Sequence, residues 1–502
     1  MLKKSTLTLG IALAMFTAQS EAQLFSDALR FGNAQYYASA RSAAVGNALG
    51  ALGGDVLSAN INPAGIGIFR SSEFTFTPMY SLNKSNADFQ NESMDDNKGK
   101  FSIGNIGLVI ASEPRMNSKF FQHGNFAITY NVTNYFHQDM SFSGVSNGTR
   151  LTNFVNAAQG LDYYGLQDYQ PFDAQLAYDV MLIDRVDPLS NTYAAALSDA
   201  NFVRKSQFQR QRGASREIGL TYASHIKHKL YLGATLGILS HSYKEFRSYE
   251  EYEETGTIDF KQMVFDETRE VKGIGINLKL GAIYRFNKIW KAGVHVHTPT
   301  SNNLTETYFT EMFGEVIYNG TLQRNTYASE VVGQFKFVST TPWVLGLSTS
   351  AVLGTKGYVG LEAEYLTYNT MKFREGGNEL TPSGVSPQYL AYLTDLVNGT
   401  YKGAYRVRLG GEYAFDVLRL RAGYQMQTSP YQVKIDGISD LQHTISVGLG
   451  IRKESFFLDL AYSMMLAQYQ YLPYAAETGS PMQEVTVKQR RGMIMATLGF
   501  RF

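Results

Sequence analysis

From about residue 72 onward, apolar and polar side chains alternate with a period of two. Residues 417–428 place Leu418, Leu420, Ala422, Tyr424 and Met426 on one face and Arg419, Arg421, Gly423, Gln425 and Gln427 on the other. Residues 405–415 repeat the pattern, with Tyr405, Val407, Leu409 and Tyr413 opposite Arg406, Arg408, Gly410 and Glu412. In 274–286 the even positions from Ile274 to Phe286 are apolar, while Asn277, Lys279 and Arg285 lie on the odd side. Strands of soluble sheets average about five to six residues, and these runs are longer. One face suits hydrocarbon and the other suits water, as in a strand of a transmembrane barrel, which needs only about 9 to 11 residues to cross. No run reaches the roughly 18 consecutive apolar residues of a spanning helix.

Reading the alternation backwards from the C-terminus gives fourteen strands, near 485–502, 455–470, 441–452, 417–429, 401–415, 357–371, 342–353, 289–306, 264–286, 229–250, 207–225, 124–142, 100–112 and 72–82. A further β-like run at 327–338 would make the count odd. Single-chain bacterial barrels have even counts, so this run is expected to be part of an outer loop, or the upper end of a strand bent at Pro342. Tight turns at 226–228, 287–288, 354–356, 416 and 453–454 alternate with long connections at 143–206, 251–263, 307–340, 372–400 and 471–484. The short ones are expected on the periplasmic side with both termini, and the long ones outside. Two long connections carry helical spacing, at Tyr389, Tyr392, Leu393, Leu396 and Val397 and at Leu176, Val180 and Ile183.

Residues 1–22 read as a secretory signal, with Lys3 and Lys4 ahead of a short apolar stretch and Ser20 and Ala22 before the cut. Residues 23–71 do not alternate. They are rich in Ala and Gly, begin with a short helix near Ser26-Asp27, and are expected to form a plug or hatch for the barrel of 72–502.

Composition fits this picture. Aromatic residues make up 13% (33 Tyr, 31 Phe, 2 Trp) and charged residues only 18%, against about 25% in soluble proteins. Half of each strand would face lipid, where aromatics are favoured and charge is not. Lys+Arg 45 against Asp+Glu 44 leaves no basic excess for nucleic acid. The absence of Cys excludes disulfides, thiol chemistry and Cys-ligated zinc. No G-x-S-x-G, H-E-x-x-H, P-loop or dinucleotide motif is present, so neither an enzyme nor a cofactor is expected.

Several motifs occur in order along the chain: Gly46, Asp55 and Asn62-Pro63-Ala64; His297-Thr298-Pro299; residues 364–373, with Tyr368 where Trp is usual; residues 405–413 and 418–424; and Ser429-Pro430. In this order they resemble the long-chain fatty-acid outer-membrane transporter family (FadL type), some members of which have been called haem receptors or act in secretion. The resemblance implies an all-β, fourteen-stranded antiparallel barrel with an N-terminal hatch. It implies passive uptake of hydrophobic or amphipathic small molecules, fatty-acid-like, with sideways exit through a gap where a strand kinks inward. The chain ends on alternating apolar residues at Phe502, which resembles the signature read by the barrel-assembly machinery. Outer-membrane lipid and lipopolysaccharide would surround such a barrel. The alternatives are a scaffold or secretion shuttle that binds protein partners at its outer loops, or haem binding.

Candidate site residues follow from the inward face. Arg406, Arg408, Arg419 and Arg421 could meet a ligand carboxylate through their planar forks, or pair across strands with Glu362, Glu364 and Glu412 and secure the hatch. His295 and His297 share the inward face and could ligate haem iron or a metal, or serve as polar lumen residues, since no third ligand is in view. Glu250, Glu251, Glu253 and Glu254 form a charge run at a loop tip, a divalent-ion site or a solvated loop. Asn62, Pro63 and Ala64 are the expected hatch motif.

Overall fold

The computed structural model describes residues 22–37, 39–112, 121–227, 229–377, 384–475 and 480–502. The expected signal, apart from Ala22, lies outside the described residues.

One antiparallel sheet closes on itself. It begins with β1 (Glu73–Phe89), β2 (Glu92–Ile110), β3 (Phe121–Tyr135) and β4 (Gln138–Ser146), passes the short outer hairpin of β5 (Ile183–Arg185) and β6 (Tyr193–Ala195), which pair only with each other, and resumes with β7 (Val203–Ile226). It continues through β8 (Leu230–Tyr252), β9 (Phe260–Arg285), β10 (Trp290–His297), β11 (Ser301–Tyr318), β12 (Thr321–Ala328), β13 (Gly333–Thr340) and β14 (Val344–Val352). The last strands are β15 (Gly357–Leu366), β16 (Phe373–Glu375), β17 (Ala404–Phe415), β18 (Leu418–Thr428), β19 (Leu441–Arg452), β20 (Phe456–Tyr471) and β21 (Val485–Arg501). β1 pairs with β21, from Glu73↔Arg501 to Asp88↔Thr486, and this closes the barrel. Nineteen strands belong to the sheet, yet the wall has fourteen staves, because β4, β11, β13, β14 and β16 continue a stave across a bend.

The bends have chemical causes. Pro299 and Pro342 each remove a ladder donor, so β10 passes into β11 at 298–300 and β13 into β14 at 341–343. The run 327–338 is thereby the upper end of a stave bent at Pro342, the second of the two expectations.

Alternation places the side chains as read from the sequence. Ile274, Leu347, Leu361, Leu409, Val447 and Ile494 stand exposed around the outside, whereas Asn105, Thr129, Glu217, Lys279, Glu362 and Arg408 are buried inside. An apolar outer belt around a polar interior is the pattern of a membrane-spanning barrel.

Several boundaries differ from the sequence expectation. The hairpin of β1 and β2 runs well above the belt, through 83–99, where alternation is lost among polar residues. The first helix, α1 (Ala22–Gly32), begins before Ser26. Connection 143–206 is an ordered cap of α2 (Leu151–Ala158), α3 (Tyr163–Tyr169), α4 (Ala174–Asp179) and the β5–β6 hairpin. Ile183 belongs to that hairpin rather than to a helix. The cap buries Leu151, Phe154 and Leu176 against Phe89, Phe142, Phe265 and Val487 at the top of the lumen. On the other side, α5 (Pro387–Thr400) carries Tyr389, Leu393 and Val397 as expected and packs on Ala28, Phe31 and Tyr243.

Candidate functional site

Inside the barrel lies the segment 22–71, and its local folding is written in its caps. Ser39 accepts from the Ser42 amide at 3.0 Å and donates to Asp55 at 2.9 Å. Asp55 in turn accepts from the Leu57 amide at 3.0 Å and starts the 3₁₀ turn Val56–Ala59. Asn62 accepts from the Ala64 amide at 3.2 Å and starts the turn Pro63–Ile68, with Pro63 at the position where a missing N–H costs nothing. The motif residues Asp55 and Asn62-Pro63-Ala64 are thus helix starts, placed so that a short segment folds without a core of its own.

The segment is fastened to the wall by polar contacts. The Asn62 side-chain amide points at the carbonyls of Gly50 (2.8 Å), Ala282 (3.3 Å) and Val294 (3.4 Å), which joins it to β9 and β10. Asn125 donates to the Ile66 carbonyl at 2.9 Å, Ala40 N–H to the Thr497 hydroxyl at 2.7 Å, and Gly50 N–H to Glu362 at 2.9 Å. Wall glycines let the backbones meet. A Cβ on Gly410 would lie 2.0 Å from the Val45 carbonyl oxygen, and one on Gly281 would lie 2.0 Å from Asn62 Oδ1. These inward glycines carried a signal that pattern reading passed over: a strand whose lumen positions are empty is making room for something.

Charge clusters complete the fastening. Glu364 accepts from Arg406 at 3.1 Å and from Arg408 at 2.8 Å, and Arg408 also reaches Glu362. Arg406 donates onward to Asn33 Oδ1 and the Ala34 carbonyl, each at 3.2 Å. A second cluster joins Arg421 to Glu412 (2.6 Å) and Asp459 (2.7 Å), with Arg41 of the segment 3.4 Å from Glu412. Elsewhere Arg269 bridges Glu306 and Asp27, while Lys279 meets Glu217, which accepts from Asn60 at 2.9 Å. Sequence reading did not pick out Asp27, Arg269 or Glu306, because pairing between a helix and a distant strand leaves no spacing to read.

The four candidate arginines therefore separate. Arg406 and Arg408 line the interior space, Arg421 is locked at 4% exposure beneath it, and Arg419 lies at the turn and donates to the Leu418 carbonyl at 2.9 Å. His295 and His297 both point inward, stacked with centroids 5.1 Å apart. His297 commits Nε2–H to the Ile61 carbonyl at 2.7 Å, so it serves the segment. His295, Glu362 and Glu364 present ligand atoms within 4.8 Å of one another. Arg408 already donates to both carboxylates, and with Arg406 it balances their charge, so a cation there would have to displace a guanidinium. Of the acidic run, Glu251 is buried and accepts from Thr149 at 2.5 Å and Arg150 N–H at 2.9 Å, which ties the cap down.

Two small interior spaces meet at Tyr36. One is lined by Phe31, Tyr36, Leu239, Val344, Leu366 and Arg406 among others. The second is lined by Tyr36, Tyr37, Met465, Met493, Met495, Arg406 and Arg408 among others. Both mix apolar surface with charge, and Arg406 belongs to both.

Among the described residues, the ladder between β2 and the third stave is incomplete. The ladder between β2 and β3 runs from Ile110↔Phe126 up to Asn105↔Asn131 and stops. Above it, 92–104 of β2 pairs only with β1 among the described residues. The third stave turns inward there: its register with β7 shifts between Val132 and Asn134, and Met140 and Phe142 of β4 are buried inside. The inner segment follows, with Gln35 N–H donating to the Thr133 carbonyl at 2.7 Å and Tyr37 N–H to Val132 at 3.1 Å.

No protein-family model and no curated protein matches the sequence. Among solved structures, a Pseudomonas aeruginosa FadL homologue matches with a TM-score of 0.58 at 13% identity, covering 94% of this chain and 100% of that one. The Ralstonia pickettii toluene transporter TbuX matches with a TM-score of 0.49 at 13% identity, covering 92% of this chain and 98% of that one. The first match shows a shared fold over nearly the whole chain, in the family that the ordered motifs resemble.

Proposed function

We propose that this chain is an outer-membrane channel for hydrophobic or amphipathic small molecules, which enter among the outer loops and leave sideways through the seam between β2 and the third stave. The observation that carries this reading is the combination of a filled lumen with an unzipped wall. The cap of 147–202 and α5 pack into the outer mouth, and the segment 22–71 fills the barrel below. A water-filled pore through such an interior is poorly suited to transport, whereas a seam opening into lipid suits an apolar solute, which gains about 25 cal/mol for each Å² kept from water. The segment acts as a hatch whose polar fastenings hold Tyr36 and Tyr37 between the two spaces. Arg406 and Arg408 bind the hatch first and meet an acidic head group only when the hatch shifts. In this orientation the short turns and Phe502 are periplasmic.

The test is mass spectrometry of hydrophobic compounds retained by the purified barrel, paired with uptake by cells that lack the chain. The reading expects a retained amphiphile and reduced uptake on deletion; an empty barrel with unchanged uptake overturns it. One observation favours the docking-scaffold alternative: Tyr164, Tyr169, Val186 and Leu189 stand exposed on the outer cap. That alternative predicts a protein partner recovered in stoichiometric yield.

A further inference from the structure

The end of the barrel that carries the short turns is bound together by backbone hydrogen bonds from one turn to the next. Arg285 N–H donates to the Lys229 carbonyl at 2.8 Å, Val352 N–H to Ile289 at 2.8 Å, Ala414 N–H to Lys356 at 2.7 Å and Arg452 N–H to Val417 at 2.9 Å. Bonds inside the turns set their shape. Asn287 Oδ1 accepts from the Ile289 and Trp290 amides at 2.8 Å each, and Lys356 N–H donates to the Leu353 carbonyl at 3.1 Å. Folded in this way, three successive turns of the rim leave Lys229, Lys288 and Lys356 exposed.

Charge is uneven around this rim. The turns at 226–230, 285–290 and 352–357 carry Lys227, Lys229, Arg285, Lys288 and Lys356 and no Asp or Glu. Lys229, Lys288 and Lys356 have no ion-pair partner among the described residues. On the opposite arc Asp416 stands exposed in its turn, Lys453 is followed by Glu454, Arg452 lies 3.3 Å from Asp459, and Arg419 donates to the Leu418 carbonyl at 2.9 Å. One arc is therefore basic and the other is near neutral. The depth of the basic arc follows from the chain's two tryptophans, which are exposed at opposite ends of paired strands: Trp290 faces Ala351 across β10 and β14, and Trp343 precedes Val344. Tryptophan collects at the two membrane–water boundaries, so Trp290 marks the boundary at the turn end. Phe286, Ile289 and Leu353 are exposed beside it, and Phe286 packs edge-on against Tyr284 with centroids 5.0 Å apart. Lys288 and Lys356 stand just beyond this apolar band, at the depth where lipid headgroups begin.

We propose that Lys229, Lys288 and Lys356 form a binding arc for anionic glycerophospholipids of the periplasmic leaflet, whose acyl chains lie on Phe286, Trp290 and Leu353. Successive turns are two strands apart, on the order of 10 Å at the strand spacing of a sheet. That distance lets one phosphate sit between each neighbouring pair of lysines, whose flexible stems bring the ammonium groups toward it. The occupant follows from depth and charge together. A leaflet surrounds this band whatever else the barrel binds, so headgroups are always beside these lysines, and an arc without carboxylates selects the anionic ones. Bound there, the lipids hold one side of the barrel at a fixed depth. The proposal rests on the orientation of the proposed channel, with its short turns periplasmic.

Native mass spectrometry of the full-length barrel in detergent, titrated with phosphatidylglycerol or with phosphatidylethanolamine, tests this. The wild type is expected to retain phosphatidylglycerol about 25-fold more tightly than the triple variant Lys229→Gln/Lys288→Gln/Lys356→Gln, from roughly a factor of five for each of the two cations flanking a headgroup. Lys453→Gln, beside Glu454, is expected to bind as the wild type does. Phosphatidylethanolamine, whose headgroup is zwitterionic, should bind the wild type and the triple variant alike. Equal retention of phosphatidylglycerol by the triple variant, or equal affinity of the wild type for the two lipids, overturns the proposal. Displacement of the lipid by polyglutamate also overturns it, because the arc would then be a docking surface for acidic protein. Heat-modifiable migration on gels shows that each variant is a folded barrel. The orientation is read separately: the chain has no cysteine, and Lys356→Cys is expected to react with a bulky impermeant maleimide only after the outer membrane is permeabilised, whereas reaction on intact cells overturns the periplasmic assignment. Retention of a hydrophobic compound in the same spectra reports on the channel, so loss of the lipid arc and loss of the uptake reading are distinguishable.

Discussion

At the residue scale, the lumen arginines have two separate uses. Arg408 is buried at 2% exposure and reaches two glutamates, so Arg408→Ala leaves the buried Glu362 without its cation and Glu364 with Arg406 alone. Breaking such a pair costs about 3–5 kcal/mol, and the variant is expected to unfold at correspondingly lower denaturant concentration in micelles. Arg419→Ala, at the turn, is expected to change stability by less than about 0.5 kcal/mol; equal losses in the two variants would refute the distinction. Asn62 caps a 3₁₀ turn and reaches three carbonyls, and Asn62→Ala is expected to loosen the hatch by about 1–2 kcal/mol. Hydrogen exchange should show faster opening at 50–66, with the wall strands unchanged.

At the element scale, the inner segment 22–71 and the outer cap are expected to open without unfolding of the wall. Gly410→Val drives a side chain into the space held by Val45. It is expected to leave a heat-modifiable barrel whose segment 40–50 is open to protease, whereas protection equal to the wild type would contradict the close fit. The outer cap should respond to pH through Asp173. Burial pushes its carboxyl from 3.8 up to about 6, and its side chain accepts from the Ala174 amide at 2.6 Å at the start of α4. The folded state binds this proton more tightly than the unfolded state does, so cap stability is full below about pH 4 and falls as pH rises through about 6. Exchange in 151–179, corrected for intrinsic rates, is expected to be slower at pH 5 than at pH 7.5, and Asp173→Asn is expected to remove the difference.

Strands were the legible elements, because each has one face in hydrocarbon and the alternation follows. Residues 274–286, 405–415 and 417–428 lie in strands with the faces read from their letters. The upper halves of β1 and β2 were illegible for the converse reason: above the belt both faces meet water or protein, and Lys84, Asn86, Asp95 and Asn97 carry no period. Of the candidate site, the inward direction of Arg406, Arg408, His295 and His297 was legible from parity alone. Their partners were not, since Asn33, Ala34 and Ile61 are brought to them by the packing of the segment rather than by spacing along a strand.

At the scale of the whole molecule, a membrane barrel is expected to close every backbone hydrogen bond in its wall, and here the ladder between the second and third staves ends at Asn105, above which the Lys98 side chain reaches Asp139 at 2.9 Å. The opening is bordered by Tyr37 and Met79 on the inside, where Gly104 lies close to the Tyr37 carbonyl oxygen. The proposed sideways route rests on this break in the ladder beside a filled lumen.

The chain has no cysteine, so a pair introduced across the seam is the sole target for a thiol cross-linker. Ser102→Cys on β2 and Tyr135→Cys at the inward turn face each other there. Uptake of a fluorescent long-chain amphiphile by cells carrying this double variant, before and after a short bifunctional thiol reagent, tests the central claim most directly. Uptake is expected near the wild-type rate before cross-linking and at the background of cells lacking the chain afterwards, with either single variant unaffected; undiminished uptake through a fully cross-linked seam would contradict the sideways route.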